Sequence, residues 1–204
     1  MRFLVVLSVL LVSISAGAHA EPYQPKADKP VRIGIVDQSG SVLGLHFMPP
    51  DENGWDITKS GINVTLKKGG ESAEENREIE AYLVNLDAPV SPISGYIERI
   101  KKNTHEGYSK NERFKIKAFD VTEDSKNSLC ARVYLLLEDT QPTRTGNNQQ
   151  KKWSEQHVLS CGSLKYKRIG FEVRYYHRYY ESNRDDQFID EARKVLESVV
   201  IEDK

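Results

Sequence analysis

Two cysteines, Cys130 and Cys161, constrain this chain more than any other feature, because each lies at one end of an apolar run that reads as a strand. Leu129–Glu138 places Ala131, Val133, Leu135 and Leu137 on one face, and Trp153–Cys161 forms the second run. Residues 139–152 between them carry Pro142, Gly146 and two asparagines, the composition of a polar hairpin tip. If the runs pair antiparallel with Cys130 opposite Cys161, every other pairing follows. Arg132 then faces Leu159, Val133 faces Val158, Tyr134 faces His157 and Leu136 faces Glu155. Directly opposed side chains approach within the roughly 3.5–4.5 Å Cβ separation that a disulfide needs. Two thiols in an oxidising compartment read first as one disulfide. The rival reading is a metal half-site or a reactive thiol, although neither cysteine has the C-x-x-C spacing of an oxidoreductase. A bond closing a loop of roughly 30 residues contributes about 3–4 kcal/mol through loop-closure entropy.

The N-terminal residues supply the compartment. Arg2 is a short basic region, Phe3–Val12 is almost unbroken apolar sequence, and Ala18-His19-Ala20 is a small-x-small cleavage site followed by Glu21 and Pro22. This pattern predicts a cleaved signal peptide over residues 1–20, since a membrane span needs roughly 20 apolar residues. No cysteine lies near the cut, which argues against the lipoprotein route. Residues 21–30 hold three prolines and read as an extended leader, and residues 31–204 as a single domain. The expected localisation is periplasmic or secreted. A net charge of −1 argues against a broad nucleic-acid footprint and a polybasic membrane anchor, and no second apolar stretch is long enough to insert in a bilayer.

Val31, Ile33 and Ile35 alternate as a short strand, Asp37–Gly40 is turn chemistry, and Val42–Phe47 is a second apolar run. Pro49 to Gly54 is a loop, with Trp55 packed under it. Ile62, Val64 and Leu66 share one face of a strand, Gly69–Asn76 is a hairpin loop, and Glu78–Leu86 is the returning strand. Ser91 as N-cap and Pro92 at the first helical position open a helix whose apolar stripe is Ile93, Ile97 and Ile100, with Lys101 and Lys102 in its last turn. Phe114–Val121 and a long Leu164–Tyr180 are further strands. A final helix over about Asp185–Val199 carries Phe188, Ala192, Val195, Leu196 and Val199 as its stripe. The expected fold is α+β: a twisted, mainly antiparallel sheet with two principal helices packed on it.

The order of elements resembles the PsbP-like fold family, which includes DcrB-type periplasmic proteins. The features that carry the resemblance are Pro49, Pro50 and Trp55, the paired strands Ile62–Leu66 and Glu78–Leu86, the helix after Ser91-Pro92, and the strand block closed by Phe188–Val199. It covers about residues 42–200, contains no chemical motif, and leaves Cys130, Cys161 and the two early apolar runs outside the family pattern. It implies a binding, assembly or accessory role rather than catalysis.

Three constellations carry chemistry. In Lys165–Tyr180, Ile169, Phe171, Val173 and Tyr175 point to the core, while Arg168, Glu172, Arg174, Tyr176 and Arg178 take the other face. Arginine with tyrosine is the composition of recognition hot spots, and arginine also grips anions by bidentate contacts. The plainer reading is a solvated face where arginine stems cover tyrosine rings. The candidate binding residues are Arg174, Tyr176 and Arg178 at the centre, with Arg168; His177 and Tyr179 are expected to leave the core side near the strand end. Glu155 and His157 share a strand face opposite Tyr134, a pairing that orients a base or seeds a metal site, against the plainer reading of a half-exposed polar face. Glu71, Glu74, Glu75 and Glu78 lack the order of a calcium loop and read as solvated.

No G-x-S-x-G elbow or phosphate-cradling glycine loop is present, and no motif calls for a cofactor. The leading expectation is therefore a non-enzymatic role, binding or assembly with another envelope protein. The alternatives are a small-ligand carrier or sensor with a pocket between sheet and helix, and a hydrolase using His157 or His177.

Overall fold

The computed structural model describes residues 29–36, 42–50, 54–70, 74–141 and 150–203. The signal-peptide residues 1–20, most of the leader, the turn at 37–40, Glu71 and most of the 139–152 tip lie outside the described residues. Along the chain come β1 (Val31–Val36), β2 (Val42–Phe47), β3 (Asp56–Ser60), β4 (Asn63–Gly69), β5 (Asn76–Asn85), α1 (Ile93–Ser109), β6 (Phe114–Glu123), β7 (Cys130–Asp139), β8 (Lys152–Gly162), β9 (Ile169–Tyr180), α2 (Phe188–Glu197) and β10 (Val200–Asp203). Seven strands form one sheet in the order β3-β4-β5-β9-β8-β7-β6, and β1-β2-β10 form a smaller one. Every neighbouring pair is antiparallel, so the fold is α+β with a mainly antiparallel sheet and two helices packed on it. No helix among the described residues is long and apolar enough to cross a membrane.

The β7–β8 register is the one the cysteines require. Cys130 pairs with Cys161, Tyr134 with His157 and Leu136 with Glu155. The two sulfurs are bonded at 2.07 Å, which settles the cysteines as a disulfide. Such a bond is compatible with an oxidising compartment.

The period of two along β9 and the helical stripe of α2 together build the main core. Phe171, Val173 and Tyr175 are buried on one face and meet Phe188, Ala192, Val195 and Leu196 at helical spacing. Leu43, Leu45 and Phe47 of the small sheet close the same core with Val64, Leu66 and Ile79. Trp55 is driven into it, edge-on to Tyr175 at 6.0 Å. On the opposite face, Ile93, Tyr96, Ile97 and Ile100 of α1 pack over Val121, Ala131 and Val133 of β6 and β7. Gly162 allows the close approach of the chain before α1, since a Cβ there would lie 2.4 Å from Val90 Cγ2.

Several boundaries differ from the sequence expectation. α1 continues two turns past Lys101 and Lys102, to Ser109. Thr104 and Tyr108 extend the half-buried stripe from Ile100, and Lys102 pairs with Glu106 along the helix, so polar residues mask the true length. Its N-cap is Pro92 in extended conformation with no side-chain cap bond, rather than Ser91. The strand expected from Leu164 starts at Ile169, because residues 163–168 turn the chain and leave Leu164 77% exposed. α2 is shorter than Asp185–Val199, and Val199 lies beyond it.

Two strands were not foreseen. β3 is a polar edge strand with only Ile57 half-buried, joined to β4 through Gly61 at φ 58°, where a glycine is at ease. β10 spans four residues and pairs with β2, roughly 155 positions earlier, so its partner gives no local signal. Ile62 falls in the β3–β4 turn and is exposed, while Val64 and Leu66 are buried as expected. Glu75 of the acidic run is likewise not solvated: it is buried and accepts hydrogen bonds from the Tyr180 backbone N–H at 3.1 Å and Asn183 Nδ2 at 2.9 Å. Glu74 accepts from Lys152 Nζ at 3.2 Å.

Candidate functional site

Alternation along β9 places Glu172, Arg174, Tyr176 and Arg178 on the α1 side of the sheet. Register then dictates their neighbours: β5 sets Tyr82 opposite Glu172, Glu80 opposite Arg174 and Glu78 opposite Tyr176. On the other flank, β8 sets Ser160 opposite Glu172 and Gln156 opposite Tyr176. These residues form a continuous polar network. Ser160 Oγ donates to Glu172 Oε1 at 3.0 Å, and because its single proton is committed there, Tyr96 donates to Ser160 at 2.6 Å. Tyr82 donates to Glu172 Oε2 at 2.5 Å, and Arg174 donates to Tyr82 Oη at 3.0 Å and to Glu172 Oε2 at 3.3 Å. Burial and the Glu172 charge raise the Tyr82 pKa and hold its proton in place. Burial works against the Arg174 charge, but Tyr82, Glu172 and Glu80 outweigh it and raise its pKa.

The four candidate binding residues therefore have different fates. Arg174 is tied into the network, its charge answered by Glu172 and, at 3.9 Å, by Glu80. Tyr176 is only 7% exposed, and burial with a hydrogen bond to Glu78 raises its pKa. Arg178 is exposed, with its guanidinium 5.1 Å above the Tyr176 ring. Arg168 lies in the turn before β9, about 20 Å from Arg174 at roughly 3.4 Å per residue, and does not join the other three. The face thus presents one arginine seated on a buried, anchored tyrosine.

Beside this network, a cleft of about 310 Å³ opens between α1 and the strands β5 and β9. Tyr96, Arg99, Ile100 and Asn103 line its helix side, and Val84, Leu86 and Glu172 its sheet side. Arg99 NH2 donates to Pro89 O at 2.6 Å and to Ala88 O at 3.3 Å, fixing one rim.

The two histidines singled out in the sequence lie on the other face, beneath α2. Glu155 is 3% exposed, so this is a buried polar cluster rather than a half-exposed sheet face. His157 Nε2 stands 3.6 Å from Glu155 Oε1, and neither atom has a hydrogen-bond partner among the described residues. Tyr179 donates to Glu155 Oε2 at 3.3 Å. Burial alone would raise the Glu155 pKa, but His157 and Tyr179 outweigh it and hold the carboxyl below its ordinary value. His177 pairs with Glu155 across β8 and β9 and stays buried, as does Tyr179, so neither leaves the core side. The rings of His157 and His177 pack against Phe188 at 5.6 and 5.2 Å. Burial first, and then the Arg77 charge, lower the His177 pKa from 6.5 to about 4. Among the described residues no group of three or more His, Cys, Asp or Glu side chains is arranged to hold a metal.

Sequence reasoning missed Tyr82, Glu80, Tyr96 and Ser160 as members of one network. The signal was present in part: Glu78, Glu80 and Tyr82 alternate as Tyr176, Arg174 and Glu172 do, with complementary charge. It becomes readable only once β5 is known to pair with β9, some 90 residues later. The chain matches no protein-family model, no curated protein and no solved structure.

Proposed function

We propose that this chain is a non-enzymatic binding protein of an exported, oxidising compartment, periplasmic or secreted, and that it engages another envelope protein through the Arg178–Tyr176 face. The observation that carries this reading is the pre-organisation of that face. Tyr176 is buried and anchored to Glu78, Arg174 is locked among Glu172, Tyr82 and Glu80, and Arg178 is displayed above the ring. An arginine held on a fixed tyrosine loses little rotamer freedom on binding, the property that distinguishes an interface anchor from a mobile surface cation. The seating of His157 and His177 under Phe188 supports binding over hydrolysis. The layout resemblance to the PsbP-like fold family, whose members look like accessory proteins, belongs to the same reading.

The test is photocrosslinking in living cells with a photoreactive residue at the exposed Lys67, which lies on the same face as Glu78 and Tyr176, and a control at Lys115 on β6. A discrete adduct at position 67 that is absent at 115 is the expected result. Trapping at other positions with none at 67 removes this surface. A second reading, a small-ligand carrier, is favoured by the cleft between α1 and the sheet, whose volume of about 310 Å³ suits a small molecule. Thermal-shift screening separates the two, since a ligand bound to the native state raises the transition temperature by mass action without a partner protein.

A further inference from the structure

On the His177 side of the sheet, a second cleft of about 440 Å³ separates the end of the β4–β5 hairpin from the chain that leaves β9. Lys68, Arg77 and Arg184 line it, with two carboxylates, Glu75 and Asp185, and the ring of His177. Both carboxylates are committed to groups of the protein. Glu75 Oε1 accepts from Tyr180 N–H and Asn183 Nδ2, while Asp185 accepts from Arg77 and, at 2.9 Å, from the Gln187 backbone N–H. The exposed Arg184 pairs with the more exposed Asp186 at 3.6 Å, and its charge also reaches Glu155, Tyr134 and Tyr179. His177 is 7% exposed, yet its buried Nδ1 has no hydrogen-bond partner among the described residues. Buried polar atoms are rarely left in that state unless something else satisfies them.

We propose that this cleft binds a small oxyanion, a carboxylate or phosphate group, with Arg184 and His177 as its principal contacts. Three cations, Lys68, Arg77 and Arg184, line the cleft against two carboxylates, so its lining is formally positive. Guanidinium groups match the geometry of such anions, and a neutral imidazole still carries one N–H to donate. The volume lies within the usual range for small-molecule sites. The two principal contacts lie off the Arg178 face, although Asn76 of the lining pairs with Arg178 across β5 and β9.

Proton linkage gives the proposal a distinctive signature. The charged or titratable groups around His177 are Arg77 on β5, Glu75 before it, Glu155 and His157 on β8, Tyr179 on β9, Arg184 and Asp185 in the chain that leaves β9 and, through its bond to Arg77, Glu191 on α2. An anion in the cleft opposes the Arg77 field and favours the imidazolium, so binding in mildly acidic buffer takes up protons.

The experiment is a titration of the full chain with inorganic phosphate and, separately, acetate, following the imidazole nitrogens of His177 by NMR. Calorimetry in two buffers of different ionisation enthalpy runs alongside. Expected are a saturable shift of the His177 signals, proton uptake, and roughly tenfold weaker binding in Arg184→Ala and His177→Gln. Arg184 is a surface residue, so the first variant remains informative if the second fails to fold. A response to phosphate alone assigns a phosphate-class ligand, and a response to both anions assigns oxyanions generally. No shift of His177 at millimolar anion, or unchanged affinity in Arg184→Ala, overturns the proposal.

Discussion

His177 stays neutral in the folded chain because charging it would place a cation under Phe188 and beside Arg77. That cost has a definite pH signature. With a folded pKa of about 4 against 6.5 for the free group, the unfolded chain takes up the proton first. Stability is therefore lost as pH falls from about 6.5 towards 4, and levels off below the folded value. The full effect is about 3 kcal/mol, of which roughly 2 kcal/mol is gone by pH 5. Urea midpoints measured at pH 7 and pH 5 test this, with His177→Phe as the comparison. The variant should lose that part of the slope; an unchanged slope would assign acid sensitivity to other groups. Glu155 contributes lower on the scale, since its depressed pKa gives stability that is present above its ordinary value and lost as pH falls through the folded one.

Among the elements, the β7–β8 hairpin was the most legible, because two cysteines and a strict alternation specify one register and leave no slack. β9 and the stripe of α2 were legible for the same reason: a period of 2 or 3.6 carried by large apolar side chains. β3 and β10 were not, since one is polar and the other is four residues long with a partner at the far end of the chain. Of the candidate site, the identities of Arg174, Tyr176 and Arg178 were readable, but their availability was not. Arg174 is answered by a strand some 90 residues away, and Arg168 shares the sequence segment without sharing the face. The hairpin also sets its own prediction. Replacing both cysteines by serine removes the loop constraint and should cost about 3–4 kcal/mol, read as a lower urea midpoint. If most of the stabilisation is already supplied by the strand pairing, the loss would fall below about 1 kcal/mol, and the bond would be an accessory to the register rather than its brace.

At the level of the whole molecule, one seven-stranded sheet serves as a partition: α1 lies on one side, and α2 with the small sheet on the other. β9 contributes to both sides in alternation, so Arg178 and His177 are sequence neighbours that face apart. Arg178 is seated on Tyr176 and Arg184 is paired with Asp186, and among the described residues these two contacts share no partner. Substitutions without shared partners act nearly additively, within about 0.5 kcal/mol. Arg178→Ala should therefore abolish trapping of a partner by a photoreactive residue at the neighbouring exposed Lys67, while leaving phosphate affinity within about twofold. Arg184→Ala should do the reverse. The double variant, measured by both readouts, should show the two losses side by side with no further change. Loss of both functions in either single variant would show that the sheet does not insulate its faces and that the two surfaces work as one site reached around its edge.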